Sequence, residues 1–68
     1  MIAQTLSGRV TAWDGQRGHG RIVDEQDREF YVHFRALIDT DHLEIGQIVR
    51  FEGHLNRKGN IAEKVSRA

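Results

Sequence analysis

The chain has 68 residues. That is room for one domain, 1–68, with a thin core, since only about 60% of the unfolded surface is buried at this size. Ten Lys and Arg balance ten Asp and Glu, which argues against a cationic, sequence-blind DNA coat while leaving a locally charged face open. Cysteine is absent, which excludes disulfides and thiolate metal sites. No apolar run approaches the ~18–20 residues of a membrane span, and Met1–Gln4 shows no signal-peptide pattern. A cytoplasmic protein without membrane contact is expected.

Strand signals dominate. From Thr5 to Trp13, Leu6, Gly8, Val10 and Ala12 alternate with Thr5, Ser7, Arg9 and Thr11, the period of a half-buried strand. Trp13 breaks the phase, which predicts a bulge or strong twist near the strand's end. Asp14-Gly15-Gln16-Arg17-Gly18 is a turn cluster. His19–Asp24 is the second strand, and Asp24–Glu29 reads as a charged, solvated turn. The third strand, Glu29–Phe34, alternates Phe30 and Val32 with Tyr31 and His33. Ala36–Ile38 suggests one helical turn, Asp39–Asp41 a loop, and Leu43 and Ile45 a pair tucked under the fold. Gln47–Leu55 is a fourth strand with Val49 and Phe51 on one face, Asn56–Asn60 a hairpin turn, and Ile61–Val65 a fifth strand. Five short strands at this spacing predict an all-β fold. A closed five-stranded antiparallel Greek-key barrel, the OB-fold, leaves no exposed edges. No proline bars any strand from a ladder.

Three segments in order, Gly8–Asp14, Arg17–Ile22 (Arg-Gly-His-Gly-Arg-Ile) and Phe30–Phe34 (Phe-Tyr-Val-His-Phe), resemble the cold-shock domain family. Leu43–Gln47, Val49–Phe51 and Gly59–Val65 resemble its later strands, so the likeness covers roughly residues 5–67. Phe30–Phe34 is close to the family's second ribonucleoprotein motif. Arg17–Ile22 is an eroded first motif, in which two customary aromatics are His19 and Arg21. The Trp that stacks bases in the family is replaced by Ala12, with Trp13 one residue later. The central loop, Arg35–Gly46, is shorter than usual, with His42 as a stand-in for its missing aromatic.

The resemblance implies binding of single-stranded RNA or DNA with slight sequence preference, in the manner of an RNA chaperone or a regulator of transcription or translation. Strand alternation supplies the physics: with Phe30, Val32 and Ile22 inside, Tyr31, His33, His19 and Arg21 share the outer face, flanked by Phe34. Trp13 is either a packing residue or a further stacking surface, and Arg17 is the best phosphate candidate among the remaining cations. Swapping aromatics for Ala12, His19 and Arg21 predicts weaker, more salt-dependent binding than is usual for the family. The same erosion motivates an alternative, a protein-interaction module on the same barrel. A monomer or weak homodimer is expected. The four histidines lack metal-motif spacing, and Ser7 and Ser66 lack a nucleophile elbow, so neither a metal, a cofactor nor catalysis is expected.

Overall fold

A computed structural model of the protein describes residues 3–68. Its strands are β1 (Ala3–Asp14), β2 (His19–Asp24), β3 (Glu29–His33), β4 (Ile48–His54) and β5 (Asn60–Arg67), with a 3-10 turn at Phe34–Ala36. They form a closed barrel in the order β1-β2-β3-β5-β4, with β4 returning to β1. Every pairing is antiparallel except the short one between β3 and β5. No helix among the described residues is long and apolar enough to cross a membrane.

Inward-facing residues of all five strands fill the barrel: Val10, Ile22, Phe30, Val32, Val49, Phe51, Ala62 and Val65, with Leu43 of the long loop plugging one end. Phe30 and Phe51 meet edge-to-face at 5.0 Å between ring centroids, a favoured geometry for aromatic pairs. Two irregularities hold this inventory together. In β1 the register against β2 slips between Val10 and Ala12, making Thr11 the extra residue of a bulge. In β5 the register against β4 slips between Ser66 and Glu63, where Lys64 has φ of 50°. Strict alternation from Ala62 would send the Lys64 ammonium into the core. The extra residue puts Val65 there instead and leaves Lys64 exposed.

Three local expectations need correction. The helical turn lies earlier than Ala36–Ile38: His33 caps the Phe34–Ala36 turn, and Leu37 and Ile38 extend along Val65. Ile45 does not tuck under the barrel but is 70% exposed. Residues 44–47 form a turn closed by Gln47 N–H donating to the Glu44 carbonyl (3.1 Å), and Gly46 N–H and the Gln47 carbonyl bind the Val10 backbone. Ile45 is left at the outer corner.

The turn after β2 is likewise not fully solvated. Asp24 is buried; one carboxylate oxygen accepts N–H bonds from Gln26 (2.9 Å) and Arg28 (2.8 Å), and the other accepts from Arg28 Nε at 2.8 Å. Burial by itself raises its pKa, but the Arg28 backbone and side-chain bonds and the Gln26 bond outweigh this and hold it below the ordinary carboxylate value.

Removing these acceptors by Asp24→Ala is expected to lower unfolding free energy by about 1.5–3 kcal/mol in urea titration. Because the folded-state pKa is depressed, the Asp24 contribution is complete above the unfolded value of about 3.9 and is lost as pH falls toward the lower folded value. Between about pH 5 and about pH 3 the wild-type urea midpoint should therefore fall more than that of Asp24→Asn. Equal acid sensitivity in the two proteins would contradict this role.

Candidate nucleic-acid interface

Alternation on β2 buries Gly20 and Ile22 and turns His19 and Arg21 outward; on β3 it buries Phe30 and Val32 and turns Tyr31 and His33 outward. The register sets Arg21 opposite Tyr31 and His19 opposite His33. Close cross-strand neighbours on one face interact directly, and here the His19 and Tyr31 rings lie 5.6 Å apart at 29°. Phe34 continues the surface, its ring 4.7 Å from that of His33. Tyr31 and Phe34 are 46% and 43% exposed. These five residues, expected together from the sequence, lie together.

Local bonds hold the aromatic end in place. The backbone N–H of Arg35 donates to His33 Nδ1 at 3.2 Å; a neutral His33 therefore carries its hydrogen on Nε2 and offers it as a donor. Phe34 N–H donates to the Gly18 carbonyl at 2.7 Å. Gly18 adopts φ of +69°, and a Cβ there would stand 2.6 Å from Phe34 Cδ1, so glycine is required both by conformation and by the closeness of the ring.

Trp13 takes a different place. Downstream of the Thr11 bulge the phase of β1 is inverted. Ala12 stands on the outer face opposite Arg21, and Trp13 stands opposite the buried Gly20. A Cβ on Gly20 would lie 2.8 Å from Trp13 Cε3. Trp13 packs against the core, and its indole Nε1 is buried without a hydrogen-bond partner. The remainder of the residue borders a depression of about 250 Å³ on the outer face, shared with Ala12, Asp14, His19, Arg21 and Tyr31.

Arg17 lies off the sheet, in the turn between β1 and β2, with its side chain 77% exposed and Nε 4.0 Å from Asp14. It shares a groove of about 310 Å³ with Phe34 and Asp41. His42 is exposed in the same loop, with Nδ1 2.9 Å from Asp41.

Two further members of the surface, Arg35 and Ile61, were not among the residues expected from the sequence. Arg35 lies 6.0 Å over the Phe34 ring, within cation–π range. Ile61, 42% exposed, is paired with Tyr31 across the β3–β5 seam. Only closure of the barrel brings Ile61 there, although the alternation of Ile61 with buried Ala62 was a usable signal. Together they line a second groove of about 280 Å³ with Tyr31, His33 and Glu63.

Charges on this side are interleaved. Arg17, Arg21 and Arg35 alternate with Asp14, Glu29, Asp41 and Glu63, so the neutral composition is not resolved into a purely basic face. The Asp14 carboxyl is held below the ordinary range, chiefly by the Arg17 backbone N–H; desolvation opposes this, and the Gln16 N–H and the charges of His19 and Arg17 lower it further. Among the described residues no cluster of His, Asp and Glu is arranged to hold a metal ion. The arrangement offers planar rings for stacking, imidazole and guanidinium donors, and arginines for phosphate.

No curated protein matches the chain significantly. The profile of the 'Cold-shock' DNA-binding domain family matches residues 6–68. With the five-stranded barrel and the outward surface on β2 and β3, the match over nearly the whole chain identifies the protein as a member of the cold-shock domain family.

Proposed function

We propose that the protein binds single-stranded RNA or DNA across the outer face of β2 and β3 and acts as an ATP-independent RNA chaperone or a regulator of transcription or translation. One observation carries the reading. In a cold-shock barrel, two ring pairs, His19 with Tyr31 and His33 with Phe34, stand side by side on the outward face, edged by Arg21 and Arg35. Unpaired bases have free faces for such a surface, while bases in a duplex do not. Binding therefore shifts RNA folding toward open strands by mass action, with no reaction step.

The affinity divides into two parts. Stacking contributes roughly 1–3 kcal/mol per base on an aromatic ring, and Tyr31 and Phe34 are the largest rings available. Phosphate contacts add a salt-dependent part, with a slope of about −0.7 in log K against log salt per phosphate neutralised on a single strand. Three candidate contacts, Arg17, Arg21 and Arg35, give a slope near −2 on that basis. Asp14, Glu29 and Glu63 oppose the strand and limit the gain.

The test is anisotropy of a labelled single strand titrated with protein between about 50 and about 200 mM salt. Tyr31→Ala should weaken binding by about 1–3 kcal/mol and change the urea-unfolding free energy by no more than about 0.5 kcal/mol, because the ring stands outside the core. On an all-uridine strand Arg21→Gln should make the salt slope shallower by about 0.7. If the wild type binds no strand at low salt, while a size measurement shows self-association or capture of a protein partner through Tyr31 and Phe34, the protein-interaction reading replaces this one.

A further inference from the structure

The depression over Ala12 is the concave part of the outer face that lies directly between β1 and β2. Its origin is local. The Thr11 bulge sets the short Ala12 side chain on the face and turns the large Trp13 side chain toward the core. What remains is a hollow of about 250 Å³, below the ~300–1,000 Å³ of ordinary small-molecule pockets. That is space for one base ring system, with the sugar and phosphate left outside.

The lining has a defined polarity. One wall is made by the His19 and Tyr31 rings, inclined at 29° to one another, whose faces a base can stack on. At one end is Arg21, which forms no ion pair among the described residues and presents a fork of donors. Asp14 stands at the other end, opposite His19. The two positions lie two residues apart along the strands, roughly 7 Å, about the length of a purine edge.

Asp14 is held in place for this role. Its Oδ1 accepts the backbone N–H groups of Gln16 and Arg17 at 3.0 and 3.2 Å, which fixes the carboxylate plane. Its Oδ2 accepts no hydrogen bond among the described residues; Arg17 Nε stands 4.0 Å away, beyond hydrogen-bonding distance. The side chain is 46% exposed. One oxygen is thus committed to the turn, and the other remains an ionised acceptor.

Among the common bases, only guanine combines two adjacent donors, N1–H and the N2 amino group, with acceptors at O6 and N7. An Asp and an Arg at opposite ends of one stacked base match that set. Uracil has a single N–H donor, and adenine and cytosine each have one amino group and no adjacent N–H. We propose that the hollow over Ala12 is a guanine-selective subsite: the base stacks on His19 and Tyr31, the free Oδ2 of Asp14 accepts from its N1–H and N2 amino group, and Arg21 donates to O6 or N7. This rests on the single-strand binding proposed above and adds one base-reading position to a surface that otherwise stacks without preference.

The test uses labelled oligouridylates of one length bearing a single central guanosine, inosine or adenosine, titrated by anisotropy at low salt against the all-uridine strand. Wild-type protein is expected to bind the guanosine strand at least about fivefold more tightly than the adenosine strand, the low end for a bidentate base contact. Inosine, which lacks the N2 amino group, should fall between them. Asp14→Asn, which can still accept the turn N–H groups through its amide oxygen, should bring the guanosine-to-adenosine ratio to within about twofold. Ala12→Trp fills the hollow and should abolish the ratio while strand binding persists. Equal binding of guanosine and adenosine strands by the wild type, or an undiminished ratio in Ala12→Trp, would overturn the subsite while leaving single-strand binding intact. Failure of the wild type to bind any of the strands would overturn the broader reading as well.

Discussion

Five strands that alternate in direction cannot close into a barrel through antiparallel pairs alone, because the first and last members of an odd ring run the same way. Here the unavoidable parallel pair is β3 with β5, and it is short, joining Phe30 to Asn60 and Tyr31 to Ile61. Parallel pairing is slightly less stable per residue than antiparallel, and few ladder bonds are available at this seam. Support comes from around it. Asn60 Nδ2 donates across the seam to the Glu29 carbonyl at 3.2 Å, and Leu37 bridges to Val65 just beyond its end. Phe30 fills the space behind it. Tyr31, the largest ring of the candidate surface, stands on this seam, and closure is what brings Ile61 beside it.

Closure also explains the two bulges. A continuous period-2 pattern around a small barrel would deliver Trp13 to solvent and Lys64 to the core. One extra residue at Thr11 and one at Lys64 reverse the phase where the chemistry of the side chains requires it. The first reversal has a consequence at the surface. It places the smallest side chain of the segment, Ala12, where the family customarily carries its stacking Trp, and turns a platform position into a hollow.

Most of the fold was legible from residue order. Alternation of Phe30 and Val32 with Tyr31 and His33 located both the core and the outward face, and Arg17–Ile22 located its partner strand. The misplaced features were those set by long-range contacts or by hydrogen-bond geometry. Asp24 looked like a solvated turn residue because its neighbours are charged, but two backbone N–H groups and the Arg28 guanidinium make burial tolerable. Ile45 looked like a core residue because it is apolar, but the closing bonds of its turn outrank the burial of one side chain. At the candidate site, Tyr31, His33, His19 and Arg21 follow from alternation alone, while Phe34 shares the inward phase of Phe30 and Val32 and reaches the surface because the strand ends at His33 and a 3-10 turn begins. The direction taken by Trp13 depends on which residue of β1 is the extra one, and a phase break in sequence does not locate that residue.

The outward phase of β2 has a further consequence, for how such a domain can change over time. Gly20 and Ile22 answer to the barrel: one leaves room for Trp13, and the other is wholly buried. His19 and Arg21 alternate with them and face the outer surface. Replacements there act on ligand contacts and leave the core untouched. A strand can thus trade ring for imidazole or guanidinium, moving from stacking strength toward hydrogen bonding and charge, in single steps that each leave a folded protein. Two aromatics exchanged at positions 19 and 21, beside an intact glycine frame at 18 and 20, are what such a separation of folding from affinity permits.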